Sequence, residues 1–212
     1  MSPRRTTKLL VAVALVLTLA GCANLRPGVA AEVGDERITM ERLDGFADSF
    51  CESGLLAQSA STVAATRVTV LSFLVRTVLA TEYASDYLDT VPQGQVDGFI
   101  TTNVEPTVEG LPEEQREDFI AEVREFLVAT QLAQSAAVAQ LQSSGVEVTE
   151  QSVGQAVNDL WAQWAEEAGV ELDPRFGTWQ DVDIAPSSGS LSVPATEEAP
   201  AASGPGARAC GS

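Results

Sequence analysis

The chain has 212 residues, 30 acidic against 12 basic side chains, a formal net charge of −18, and no histidine. The acidic balance argues against nucleic acid as a partner, because carboxylates and phosphates repel each other. Without histidine, Ser-His-Asp and Cys-His nucleophile systems and histidine-ligated metal sites are excluded. The length suits one domain of about 150 residues with tails.

The N-terminus has the layout of a secretory signal peptide. Arg4, Arg5 and Lys8 precede an apolar run without charged side chains from residue 9 to residue 20. This run is shorter than the roughly 20 residues that a helix needs to cross the hydrocarbon core of a bilayer. The segment is therefore predicted to direct export and not to span the membrane.

The end of this segment, Leu19-Ala20-Gly21-Cys22, resembles the lipobox of bacterial lipoproteins. In that family the cysteine is acylated and the chain is cut before it. The resemblance implies a signal peptide over 1–21, cleavage between Gly21 and Cys22, and a lipid anchor on Cys22. An ordinary secretory signal with a chance cysteine is the alternative. Three of the twelve basic residues and none of the thirty acidic ones precede Cys22, so the mature chain would carry −21.

Two further cysteines, Cys51 and Cys210, remain if Cys22 carries lipid. An exported protein can pair its cysteines, and a flexible C-terminal tail would let Cys210 reach Cys51. A disulfide between them is therefore possible. Two free thiols, with Cys51 buried on a helix, are the alternative.

The N-terminal half is predicted to begin with a tether over 22–30, followed by two short strands. Apolar and polar residues alternate on both sides of Gly34-Asp35-Glu36, which is typical of strands around a tight turn. Thr39 can cap a helix with one apolar stripe, and Gly54 can end it.

The second helix is predicted over about 61–88, and its middle is apolar nearly all round. Such a helix is usually buried, so it is the candidate central helix; it reads as too short and too interrupted for a membrane span. A weaker segment over 95–109 is predicted to form a short helix broken at Pro106. Proline and acids at 112–114 then predict the start of a helix reaching about Gln142.

At about 1.5 Å per residue the helix that ends near Gln142 would be some 45 Å long, which suits an arm or a cradle. Thr149 is predicted to cap a last helix over 150–168. Its Trp161 and Trp164 are interpreted as core residues, with a ligand platform as the alternative. The final stretch, 182–212, has few large apolar residues and is predicted to be disordered.

Three stretches together resemble the SurA N-terminal domain family of extracytoplasmic chaperones, which is related to the PrsA foldase lipoproteins. They are Val33–Thr39 with the amphipathic helix behind it, Val146–Val153, and Asp173–Trp179. The resemblance spans about 31–181. It implies a mainly α fold, a helical cradle for unfolded chains with a small β element. In that element Val33 and its neighbours would pair with the closing strand, made of Arg175, Phe176, Gly177 and Trp179.

Many members of that family insert a parvulin prolyl isomerase domain before the closing strand. Here only one helix separates Val146 from Asp173, which leaves no room for such a domain. Parvulin sites also use histidines, which this chain lacks. The resemblance is therefore to a form without isomerase activity.

The leading hypothesis is a non-enzymatic chaperone, anchored by lipid to the extracytoplasmic face of a bacterial membrane, that holds exported unfolded polypeptides. The alternative is an envelope scaffold lipoprotein that binds one folded partner. An enzyme is disfavoured, because carboxylate pairs such as Glu113-Glu114 and Glu166-Glu167 read as solvated helix ends. No cofactor and no metal site are predicted, since even the EF-hand spacing for Ca²⁺ is missing.

The anchor is tested by Cys22→Ser. The substitution is expected to block lipidation and to leave the precursor uncleaved by the lipoprotein route, because the thiol is the acylated group. Detergent-phase partition of the expressed protein measures the outcome. Partition that the substitution leaves unchanged would contradict the anchor.

Overall fold

The computed structural model describes residues 27–55, 62–185 and 209–210. The predicted signal peptide, the cleavage site at Gly21 and the lipidated Cys22 lie outside these residues. Within them the chain is mainly helical with a small antiparallel β element, as the sequence predicted.

The strands and helices follow one another in a simple order along the chain. The strands are β1 Val29–Val33, β2 Glu36–Thr39, β3 Glu171–Leu172, β4 Thr178–Gln180 and β5 Asp183–Ala185. The α-helices are α1 Met40–Ser53, α2 Val63–Tyr83, α3 Gln93–Phe99, α4 Glu105–Val108, α5 Glu113–Ser143 and α6 Glu150–Ala168. A 3-10 helix covers Ser85–Thr90, and a π-helical turn covers Ile100–Val104.

β1 and β2 form the predicted hairpin, with Val33 opposite Glu36 across a two-residue turn. Gly34 has a φ of +59°, a conformation that favours glycine. The strand begins at Val29, and both Val29 and Ala30 are buried in the sheet. The predicted tether over 22–30 was therefore wrong at its end, because these two small apolar residues already belong to the core.

The helix ends follow the capping residues that the sequence offers. The Thr39 side chain accepts a hydrogen bond from the Arg42 N–H at 3.1 Å and opens α1, and Gly54 closes it in the left-handed conformation. Thr149 and Ser152 form a capping box at the start of α6, and Gly169 ends it with a φ of +70°. These predicted bounds are confirmed to within a residue or two.

α2 is the central helix, as predicted, and packs against α1, α5, α6 and β1. It is 21 residues long and is, in the described ranges, the one helix long and apolar enough to cross a membrane. The expectation that it is too short for a span was therefore wrong. Half of its most apolar window is buried inside the protein, and its buried residues include Val70, Leu71, Leu74, Val75 and Leu79.

The weak segment before α5 is one helical path whose geometry changes twice. α3 widens into the π-helical turn, and α4 follows with Pro106 in its first turn. Val96, Ile100, Val104 and Val108 recur every fourth residue and are buried. At the break predicted at Pro106 the helix therefore changes from π to α geometry, and the buried apolar face continues through it.

α5 is 31 residues long, close to the predicted length, and packs against α1, α2 and α6. Its buried residues extend from Phe119 to Ala137, so most of its length contributes to the core. Trp161 and Trp164 of α6 are 6% and 5% exposed, which confirms them as core residues.

The strand that returns to β1 is β3 and not the predicted closing strand. Ala31 lies opposite Leu172, and the Asp173 N–H donates to the Ala30 carbonyl at 2.9 Å. The chain then turns away, because the Arg175 N–H donates to Asp173 Oδ1 at 3.0 Å and the Phe176 N–H donates to the Asp173 carbonyl at 2.9 Å.

The predicted pairing of Val33 with Arg175, Phe176, Gly177 and Trp179 is therefore wrong. Phe176 is buried, with the Arg67 guanidinium 5.5 Å from its ring centre, and Gly177 has a φ of +114°. Trp179 pairs with Ile184 in a separate hairpin of β4 and β5. The alternation of apolar and polar residues does not reveal the turn at Asp173. Because of this turn, the strand that pairs with β1 lies before Asp173 and not after it.

The predicted disordered tail over 182–212 is ordered at two places. Arg76 of α2 donates two hydrogen bonds to the Val182 carbonyl, at 2.6 and 3.1 Å, and Ser72 donates to Asp183 Oδ1 at 2.9 Å. Burial lowers the pKa of Arg76, while Asp183 opposes this shift. The polar exceptions on α2 thus hold β5 in place.

The second ordered place is Cys210, which forms a disulfide with Cys51 and confirms the suggested pairing. The two Cα atoms are 4.6 Å apart, and 159 positions of sequence separate the residues. The Thr66 hydroxyl lies 3.2 Å from Cys210 Sγ and 3.5 Å from Cys51 Sγ. The bond ties the C-terminus to α1 and to the start of α2.

Replacing both cysteines, Cys51→Ser with Cys210→Ser, should lower the free energy of unfolding by about 2–4 kcal/mol, because a long loop is no longer closed in the unfolded chain. Urea unfolding with and without reductant measures this loss. Reductant should destabilise the wild type and leave the double variant unchanged. Equal stability of the two proteins without reductant would contradict the assignment.

Candidate functional site

Two adjoining cavities form a groove on one side of the helices. The first, of about 640 Å³, lies between α1 and the N-terminal half of α5. The second, of about 430 Å³, lies between the β1–β2 turn, α2 and α5. Arg42 and Glu125 line both cavities, so the two meet at this pair of residues. We refer to the two cavities together as the α1–α5 groove.

The floor of the groove is aromatic, and small residues keep it open. Phe46 and Phe119 line the first cavity, with ring centres 5.5 Å apart, and both rings are almost wholly buried. Gly45 and Ala121 are exposed above them. A Cβ atom at Gly45 would meet no atom of the described residues within 4 Å, so the space over this glycine is open there.

Arg42 crosses the groove from α1 to α5. Its Nε and Nη2 donate to the two carboxylate oxygens of Glu122, both at 2.6 Å, and Nη2 also donates to Glu125 Oε2 at 3.0 Å. The hydrogen bond to Glu122 raises the pKa of Arg42. At the other end, Gln115 Nε2 donates to Ser49 Oγ at 3.1 Å. The two contacts fix the spacing of the groove walls.

The groove is strongly acidic. Among the residues that the structure describes, eight carboxylates and one guanidinium, that of Arg42, line the two cavities, a formal balance of −7. The carboxylates belong to Asp35, Glu36, Glu41, Glu82, Glu114, Asp118, Glu122 and Glu125. Only Glu122 and Glu125 form ion pairs within the described residues. The remaining six charges are not neutralised there.

Most arginines elsewhere in the described ranges are engaged with other carboxylates. The exception is Arg116 of α5, which forms no ion pair among the described residues and is not among those lining the groove. Six of the seven arginines in the described ranges form ion pairs: Arg37 with Glu32, Arg42 with Glu122 and Glu125, Arg67 with Asp44, Arg76 with Asp183, Arg124 with Asp97, and Arg175 with Asp173. Arg42, the one arginine of the described ranges that lines the groove, is thus already paired.

A third cavity, of about 540 Å³, lies away from this groove between α6 and β4. Glu166 and Trp179 line it, and the indole N–H of Trp179 is buried without a hydrogen-bond partner in the described part of the chain. The two carboxylate pairs considered in the sequence analysis thus lie at different cavities, since Glu114 lines the groove and Glu166 lines the third cavity. No three His, Cys, Asp or Glu residues of the described ranges group as metal ligands.

The sequence analysis assigned no residue to a binding groove, although the spacing of acidic residues on α5 gave one indication. Glu114, Asp118 and Glu122 recur every fourth residue, which places three carboxylates on one face of α5. This pattern is typical of any solvated helix face. The groove appears only when α1 lies beside that face, and the sequence does not show which helices are neighbours.

Comparison with protein-family models, curated proteins and solved structures finds no match for this chain. The resemblance to the SurA N-terminal domain family therefore stays a prediction that rests on the motifs.

The Arg42 contact is tested by Arg42→Gln, which removes the bidentate ion pair and leaves two carboxylates facing each other. We expect the free energy of unfolding to fall by about 1–2 kcal/mol, because hydrogen bonds between charged groups are stronger than neutral ones. Chemical denaturation measures the change. Arg37→Gln is the control, since its more exposed pair with Glu32 should contribute less than about 1 kcal/mol. Equal losses in the two variants would contradict the assignment.

Proposed function

We propose that the protein is a non-enzymatic chaperone that holds exported, partly unfolded polypeptides in the α1–α5 groove. Its lipid anchor at Cys22 would keep it at the extracytoplasmic face of a bacterial cell membrane. The observation that carries this proposal is the open groove with an aromatic floor between α1 and α5. Such a site offers a short apolar segment a place to bind while the charged rim stays hydrated.

The size of the groove supports a segment of extended chain. Its lining extends from Pro112, the residue before α5, to Glu125, which is about 20 Å at 1.5 Å per residue. An extended chain rises about 3.3 Å per residue, so roughly six residues would lie along it. This length suits transient binding of a client better than enclosure of a folded domain.

The disulfide supports the export part of the proposal. Disulfides persist in oxidising compartments and are rare in the bacterial cytoplasm. The Cys51–Cys210 bond therefore agrees with the signal layout at residues 1–21.

The polar groups of the groove favour binding over catalysis. The hydroxyl of Ser49 already donates to the Gly45 carbonyl at 2.9 Å, and Arg42 is held by two carboxylates. An activated nucleophile needs a base within hydrogen-bond reach, and Ser49 instead receives a hydrogen bond from the amide of Gln115. These groups position the two helices and do not form a reactive pair.

The test measures whether the mature chain, at several-fold molar excess, suppresses the aggregation of an unfolded model protein. Gly45→Leu should reduce the suppression strongly, because the leucine fills the free space over the aromatic floor. The protein should remain folded, since leucine favours a helix by about 0.8 kcal/mol over glycine.

Gly154→Leu is the matched control, because Gly154 lies exposed within α6 and a Cβ there also meets no atom within 4 Å. It should leave suppression unchanged. Absence of suppression by the wild type would overturn the proposal. Capture of one stoichiometric folded partner without peptide binding would favour the scaffold lipoprotein instead.

A further inference from the structure

We infer that the α1–α5 groove selects positively charged segments, in which lysine or arginine alternates with small or apolar side chains. This inference rests on the proposed function of the groove as a polypeptide-binding site. It adds the chemical class of the segment, which the apolar floor alone does not determine.

The first argument is the charge balance of the groove walls. Six carboxylates face the two cavities without an ion-pair partner in the described residues, and the one guanidinium is held by Glu122 and Glu125. The screening length at physiological ionic strength is about 8 Å, comparable with the width of one helix. The fields of the two walls therefore overlap in the groove, where they favour a cation and repel an anion.

The second argument is spacing. Glu114 and Asp118 are one helical turn apart on the α5 wall, about 6 Å along the axis, and Glu41 lies on the α1 wall. In an extended chain every second side chain recurs after about 6.6 Å. Basic residues at alternate positions would therefore meet successive carboxylates of α5.

The third argument is the apolar floor, which suits long basic side chains. Lysine and arginine place their methylene stems against apolar surface while the charged end stays near water or a carboxylate. The exposed Ala121 and the open space over Gly45 lie between the acidic walls. A neutral apolar segment would use this floor and would gain nothing from the six unpaired carboxylates.

The ion pair of Arg42 divides the groove without opposing a cationic occupant. On its far side the second cavity carries Asp35, Glu36 and Glu82 around Val78. A segment longer than about six residues would thus meet acidic walls on both sides of a neutralised bridge. This arrangement favours segments with basic residues toward both ends.

The experiment measures binding of three fluorescent ten-residue peptides to the mature chain by anisotropy. The peptides share their alanine and leucine positions and carry lysine, glutamine or glutamate at the alternate positions. We expect the lysine peptide to bind at least tenfold more tightly than the glutamine peptide and the glutamate peptide most weakly. The advantage of the lysine peptide should fall steeply between 50 and 500 mM salt.

Two variants locate the selectivity. Glu114→Gln with Asp118→Asn should weaken the lysine peptide about four- to twentyfold and leave the glutamine peptide unchanged, because exposed ion pairs each contribute modestly. Glu147→Gln with Asp159→Asn removes the same charge from positions outside the groove lining. This control should change the binding of the lysine peptide less than twofold.

The outcomes separate this inference from the proposed function. Equal binding of the lysine and glutamine peptides, both weakened by Gly45→Leu, would overturn the charge selectivity and leave the chaperone proposal standing. Equal effects of the two double variants would assign the preference to net charge and would also overturn the inference. No binding of any peptide, together with no suppression of aggregation, would overturn the proposed function itself.

Discussion

α2 packs at once against α1, α5, α6 and β1, and the fold depends on the burial of this one helix. Val70, Leu71, Leu74, Val75 and Leu79 are almost completely buried. Full burial of one such side chain contributes about 1.5–3 kcal/mol, so the five together contribute on the order of 10 kcal/mol. That is comparable with the whole net stability of a typical domain. Packing against α2 therefore determines the positions of α1, α5, α6 and β1.

The polar residues of α2 make contacts with the C-terminal region and with α1. Arg76 and Ser72 hold the β4–β5 hairpin, while Thr66 lies beside the disulfide. Arg67 pairs with Asp44 of α1 and lies over the Phe176 ring. α2 is apolar nearly all round, but its few polar residues hold the C-terminal region against the core.

The groove is a consequence of how α1 lies beside α5. Phe46, Phe50 and Phe119 pack together beneath the surface, with ring centres 4.8–5.5 Å apart. Gly45 and Ala121 are small and leave open space above these buried rings, and the Arg42–Glu122 ion pair sets the spacing of the walls. The proposed client binding and its charge preference both follow from this combination of aromatic floor, small residues and unpaired carboxylates.

The sequence by itself determined the local structure, because its signals act within one or two helical turns. Thr39 and Thr149 begin helices by accepting hydrogen bonds from N–H groups of the first turn, and Gly54 and Gly169 end helices in the left-handed conformation. The apolar run of α2 likewise predicts burial. The sequence also suggested the Cys51–Cys210 pair, and it left free thiols open. The tertiary structure decided between these two possibilities.

Only the tertiary structure decided which distant residues meet. The turn at Asp173 moved the strand that pairs with β1 away from Phe176, since a strand signal does not reveal its register. The groove joins Gly45 to Asp118 across more than seventy residues of sequence, and its acidic face on α5 looks like any hydrated face until α1 lies beside it. Periodicity reports which side of a helix is apolar, whereas a binding site depends on which helices become neighbours.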